Sequence, residues 1–243
     1  MNELTTPLAE FREDNWERAL AIVAHPDDLE YGAAGAIARW TAMGKEVSYL
    51  LATKGEAGMD NMDPTEAGPL RVSEQIDAAE AVGVSKVDFL DYPDGLIEQS
   101  IDLRRDLAAA IREAKPQVVI TINHHDSWGP GTLNMADHRH VGMAAIDAVR
   151  DAANRWLFQE TPAPPWSGVH TVAVAGSPYP SHAVDISDTL DAAIESLSRH
   201  RAYLESLGSH AMADADDFLR GLALQTGQRF GSRPAAAFEL INV

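Results

Sequence analysis

Four strand-like runs, at residues 20–24, 46–53, 87–90 and 118–122, each end in a polar cluster and each lead into a stretch with helical spacing. This alternation constrains the fold more than any other feature. Successive strand–helix units close most readily as a largely parallel sheet with helices on both faces. The helical stretches fall at 32–43, 70–82, 101–114 and 137–153, and Gly83 supplies a stop after the second. The segments 54–68 and 123–136 read as loops. Three prolines, Pro162, Pro164 and Pro165, stiffen a loop before strand character resumes at 169–175. Residues 188–206 read as one helix, with Ile194, Leu197 and Leu204 among its apolar positions, and 214–243 fits neither period. The expectation is an α/β chain in which 1–243 form a single Rossmann-like domain around a twisted, mostly parallel sheet. No internal repeat or coiled-coil heptad interrupts it.

In such sheets ligands bind beyond the carboxyl ends of the strands. The polar clusters stand in those places: His25, Asp27 and Asp28 after the first strand, 54–58 after the second, 91–95 after the third and 124–126 after the fourth. The first cluster, Ala24-His25-Pro26-Asp27-Asp28, carries the most chemistry. An imidazole and a carboxylate are ordinary ligands for a divalent metal, and a second carboxylate beside them can take a proton from water. Taken singly, each residue fits a polar turn whose carboxylates cap the next helix. The triplet together, followed by Gly32-Ala33-Ala34-Gly35-Ala36, favours a metal site. That glycine spacing is not a dinucleotide fingerprint, and Asp27 and Asp28 would repel a pyrophosphate.

The chain has no cysteine, so a metal must be held by His, Asp, Glu or water. The same fact suits a cytoplasmic setting. A formal net charge of −18 argues against nucleic acid or anionic membrane as partners. The stretch from Met1-Asn2-Glu3-Leu4 to Asn15-Trp16-Glu17-Arg18 has neither the basic nor the apolar segment of a signal peptide. Self-association is left open by the sequence.

A catalytic site needs a further ligand from elsewhere. Asp137-His138-Arg139-His140 opens a helix just after a strand-end loop, and histidines two apart on a helix point in different directions, so at most one of that pair serves. His124 and His125, at a strand end, compete for the same role.

The segment from Trp16 through His25-Pro26-Asp27-Asp28 to Gly32 resembles the opening of the PIG-L / LmbE-like N-acetylglucosaminyl deacetylases. Thr53-Lys54-Gly55-Glu56-Ala57-Gly58, Arg71-Val72-Ser73-Glu74, Asp94-Gly95 and Asp137-His138-Arg139 follow in that family's order. The resemblance is strongest over residues 16–149, with a weaker echo at Asp185-Ile186-Ser187 and His200-Arg201. It implies a zinc ion, or another divalent transition metal, held by His25, Asp28 and His138. It also implies Asp27 as general base and Asp137 as its electrostatic neighbour, with Glu56 and Asp94 among the substrate contacts. Arg71 reads as a contact to a hydroxyl or anionic group of the substrate, or else as an exposed helix residue paired with Glu74.

One departure matters. The family commonly has His-Pro-Asp-His where this chain has Met135-Ala136-Asp137-His138, and the family's first histidine donates to the tetrahedral oxyanion. Met135 cannot donate, and loss of such a donor typically costs on the order of a hundredfold in rate. Of the replacements available, His125 is favoured over His124 and His140, because Asp126 beside it could orient its ring. The leading expectation is a metal-dependent hydrolase that removes an acetyl or other acyl group from the nitrogen of an amino sugar or sugar conjugate. The alternatives are an amidase of the same chemistry on a non-sugar or thiol-conjugate amide, and a catalytically weakened metal- and sugar-binding homologue.

Overall fold

The structure, a computed structural model, describes residues 6–243. Met1-Asn2-Glu3-Leu4, the start of the segment read above for leader character, lies outside the described residues. In chain order the elements are β1 (Ala9–Glu10), β2 (Arg18–Val23), α1 (Asp28–Gly32), α2 (Ala34–Ala42), β3 (Glu46–Leu51), α3 (Pro64–Ala81), β4 (Lys86–Phe89), α4 (Ile101–Ala114) and β5 (Val118–Ile122). There follow a hairpin of β6 (Ser127–Gly129) and β7 (Thr132–Leu133), α5 (Ala136–Ala153), β8 (Thr171–Ala175), β9 (His182–Asp185), α6 (Leu190–Ser198), α7 (Arg201–Ser206), α8 (Ala215–Gly227) and β10 (Ala235–Asn242). Among the described residues, no helix is long and apolar enough to cross a membrane.

The main sheet has eight strands in the order β1-β9-β10-β8-β5-β2-β3-β4. It is parallel except at β10, which runs antiparallel to both β8 and β9. From β2 the chain first moves outward through β3 and β4 and then returns to pair β5 with the other edge of β2. The order therefore reverses between β2 and β5, and this switch point opens a crevice beyond their carboxyl ends.

Alternation along β2 fills both faces of the sheet. Ala19, Ala21 and Val23 join the core beneath α1, α2 and α6. Leu20, Ile22 and the following Ala24 join the core beneath α4 and α5. Trp40 ties the N-terminal segment to the far strand, with ring centroids 5.3 Å from Phe11, 5.2 Å from Trp16 and 5.8 Å from Phe238. Such aromatic pairs each contribute about 0.5–1.5 kcal/mol beyond their buried area.

Three expectations are corrected. The loop read over 54–68 ends earlier, because Asp63 accepts from the Thr65 amide as N-cap and Pro64 occupies the first helical position. Pro69 lies inside that helix and removes one hydrogen bond without ending it. The single helix read over 188–206 is two, α6 and α7, broken at Arg199 and His200. The unassigned tail forms α8 and then β10, the strand inserted between β8 and β9.

Candidate metal centre

β2 ends at Val23, and the chain turns sharply through His25-Pro26-Asp27 before α1 begins at Asp28. Asp28 organises that turn. Its Oδ2 accepts from the backbone amides of Ala24 at 3.0 Å and His25 at 2.9 Å. Its Oδ1 is left to face the crevice, 3.0 Å from His138 Nε2 and 3.7 Å from His25 Nδ1. His138 sits on the first turn of α5, and its Nε2 is 3.1 Å from His25 Nδ1. Three donors from two sides of the switch point thus converge, all buried.

The second nitrogen of each ring is also fixed. His138 Nδ1 lies 3.1 Å from Asn134 Oδ1. The Asn134 amide is oriented in turn, because its Nδ2 donates to the carbonyls of Asn123 at 2.7 Å and His125 at 2.9 Å. Nδ1 of His138 therefore carries the hydrogen, and Nε2 presents its lone pair. His25 Nε2 lies 3.2 Å from Asp137 Oδ2 and 3.1 Å from Asp94 Oδ1. Asp137 is steadied by the amides of Gly95 at 2.7 Å and Ile97 at 3.2 Å, and Asp94 by the amide of Ala57 at 2.8 Å. An imidazole whose far nitrogen donates to a carboxylate or carbonyl is the usual support for a metal ligand. Two nitrogens and one oxygen at these separations make a donor set that suits zinc and its first-row neighbours.

The electrostatics follow from burial and from these pairings. Burial works against a charged His25, but Asp137, Asp28 and Asp94 outweigh it and raise the ring well above its ordinary value. Burial would also raise the Asp28 carboxyl, yet the His138 and His25 rings hold it far below the usual carboxylate range. At Asp94 burial is likewise overcome, chiefly by the hydrogen bond with His25, and its carboxyl is lowered. Asp27 behaves differently. Burial outweighs the opposing Arg71 guanidinium and pushes its pKa up to about 6.

Arg71 is not the exposed helix residue paired with Glu74, one of its two sequence readings. It is buried on α3, and its Nη2 donates to Asp27 Oδ2 at 2.8 Å and to the Pro26 carbonyl at 2.7 Å, while Nη1 donates to the Gly55 carbonyl at 2.8 Å. Glu74 is not its partner; it accepts from the Ala202 amide. This explains the glycines of the 54–58 loop, since a Cβ at Gly55 or Gly58 would run into the guanidinium. Glu56 reaches the neighbouring loop, where its Oε1 accepts from the Asp94 amide at 3.0 Å.

Of the three histidines considered as oxyanion donors, two are hydrogen-bonded elsewhere, while the third, His124, has a buried Nδ1 with no hydrogen-bond partner. His125 Nε2 lies 2.7 Å from Glu239 Oε2 on β10. Asp126, expected to orient that ring, is exposed and pairs instead with Arg139 at 3.3 Å. His140 Nδ1 is held at the Ile97 carbonyl, 2.5 Å away. His124 is half-buried with its ring stacked on His125, centroids 4.1 Å apart. Met135 is exposed and caps α5 with no side-chain hydrogen bond. A residue that the sequence did not single out, Trp128 of the hairpin, stands edge-on to His138 with centroids 5.5 Å apart and keeps an exposed face.

Comparison with known proteins gives a consistent answer. The family model described as PIG-L, GlcNAc-PI de-N-acetylase, matches residues 20–149. A diacetylchitobiose deacetylase of Thermococcus kodakarensis is 28% identical over 230 residues, covering 93% of this chain and 83% of that protein. A 1D-myo-inositol 2-acetamido-2-deoxy-alpha-D-glucopyranoside deacetylase of Kineococcus radiotolerans is 31% identical over 188 residues, 64% of this chain and 51% of that one. Among solved structures, the N,N'-diacetylchitobiose deacetylase of Pyrococcus horikoshii, complexed with its inhibitor MPG, superposes with a TM-score of 0.83 at 26% identity. The match covers 95% of this chain and 87% of that one.

Proposed function

The chain belongs to the PIG-L family of de-N-acetylases, and from that premise we propose that it hydrolyses the N-acyl bond of an N-acetylated amino sugar or amino-sugar conjugate in the cytoplasm. The observation that carries this reading is the convergence of His25 Nδ1, Asp28 Oδ1 and His138 Nε2, with the Asp27 carboxylate next in sequence to a donor. His25, Asp28 and His138 would hold a divalent ion, zinc in this proposal. When bound, such an ion polarises an amide carbonyl and brings the pKa of water towards ~7.

The remaining work falls to the chain's own side chains. Asp27 Oδ2 is engaged by Arg71, so Oδ1 is the oxygen assigned to take the proton of the attacking water and return it to the leaving nitrogen. A carboxyl near 6 suits both halves of that transfer at neutral pH. Asp137 holds the hydrogen on His25 Nε2 and keeps that ring's other nitrogen turned inward. Glu56 and Asp94, linked through the Asp94 amide, form the polar side of the cleft assigned to sugar hydroxyls. The exposed face of Trp128 supplies an apolar wall for the ring. With His125 committed to Glu239, no imidazole is assigned to the carbonyl oxygen.

The test is acetate release from N-acetylglucosamine and N,N'-diacetylchitobiose by the zinc-loaded protein, with a panel of non-sugar acetamides alongside. Acetate and free amine in equal amounts, lost with a chelator and restored by zinc, are expected. Faster turnover of the non-sugar amides, or none of the sugars by a metal-replete protein, overturns the reading.

A further inference from the structure

Behind Asp27 lies a row of polar side chains that the proposed chemistry does not use. Gln75 of α3, Glu30 of α1, Ser196 of α6 and His200 at the α6–α7 break are all at most 1% exposed. Burying such groups is costly unless each is held for a purpose, and some here are not fully paired: Glu30 Oε2 and both His200 ring nitrogens have no hydrogen-bond partner. The row leads to one point. The Asp27 amide donates to Gln75 Oε1 at 2.9 Å.

That amide belongs to a residue in an unusual conformation. Asp27 has φ 86°, in the left-handed region where a side chain other than glycine persists only when its surroundings hold it. Gln75 can hold it only if its amide oxygen, and not its nitrogen, faces Asp27. Glu30 fixes that choice, because its Oε1 accepts from Gln75 Nε2 at 3.0 Å and so leaves the amide oxygen turned to Asp27. His200 Nε2 stands 3.7 Å behind Glu30 Oε2. Arg71 and Gln75 are four residues apart on α3 and so share one face. Arg71 grips the Asp27 carboxylate and Gln75 grips its backbone.

We infer that Gln75, oriented by Glu30 and backed by His200, is a positioning residue that holds Asp27 in its left-handed conformation and thereby aims the carboxylate at the reaction. The inference rests on the reading of Asp27 as the proton-transfer group. Gln75→Leu is expected to lower kcat about 10- to 100-fold, with KM and zinc content unchanged, since small misplacements of a reacting group have effects of that size. In an Asp27→Asn background the same substitution is expected to cost no more than about twofold, because groups acting through one another are not additive. Glu30→Gln alone slows the enzyme. The exchanged pair, Glu30→Gln with Gln75→Glu, restores an acceptor to the Asp27 amide and a donor behind it, and recovers most of the lost rate.

A readout independent of turnover is amide hydrogen exchange in the metal-free protein. Gln75→Leu should remove protection at Asp27, and the exchanged pair should restore it. Equal rate losses in both backgrounds, an exchanged pair no faster than Gln75→Leu, or an Asp27 amide protected in all variants would overturn the inference. An Asp27→Asn enzyme with full activity would instead overturn the role given to Asp27, leaving amide exchange to decide whether Gln75 holds its backbone.

Discussion

Around His25, Asp28 and His138, the far nitrogen of each ring and the second carboxylate oxygen have neighbours that fix them, while the other three atoms converge. A few residues away the rim is exposed and apolar, with Leu96 at 73%, Leu133 at 80% and Met135 at 53% of full exposure. The floor is over-determined: backbone amides hold Asp28 directly, and His25 and His138 are held by Asp137 and Asn134, which backbone amides or carbonyls hold in turn. The rim carries no such second layer. Position 135 lies on the rim, so in the proposed reading metal holding and oxyanion stabilisation are separable.

Three substitutions probe that separation. Asp27→Asn keeps the shape of the floor but cannot accept a proton, so turnover is expected to fall about 10²- to 10⁴-fold with zinc content unchanged. Loss of zinc along with activity would make Asp27 part of the floor's metal-holding set. Asn134→Leu removes the acceptor for His138 Nδ1, and zinc affinity measured by competition with a chelator should weaken about 10- to 100-fold. Unchanged affinity would show that the second layer does not fix the floor. Met135→His is the mildest change and acts only at the rim. It is expected to raise kcat about tenfold by supplying a donor at the N-terminus of α5, with zinc affinity unaltered. A fall in affinity there would break the distinction between floor and rim.

The floor was the legible part of the sequence, because its residues are local to strand ends. His25, Asp27 and Asp28 fall within four positions after an apolar run, and the strand at Val118–Ile122 and the helix at Ile101–Ala114 have the bounds that periodicity gives. What escaped depends on distant packing. Arg71 reads from the sequence as a substrate contact or an exposed helix residue, and only the fold brings the 54–58 loop over it. His200 stands in a run of polar residues, Ser198-Arg199-His200-Arg201, that gives no sign of burial. β10 begins with three alanines, which favour neither helix nor strand by pattern, and its place between β8 and β9 is set by pairing alone. His125 and Asp126 are adjacent in sequence, yet the sheet offers Glu239 from a strand more than a hundred residues later.

His25, Asp28 and His138 are proposed to hold one divalent ion. Anomalous scattering at the zinc edge, on crystals of the purified protein with its metal content measured, tests this most directly. One ion per chain is expected, bonded to His25 Nδ1, Asp28 Oδ1 and His138 Nε2. An ion seated instead on the neighbouring group of His25, Asp94 and Asp137, or a zinc-supplemented protein with no ion at either place, would contradict it.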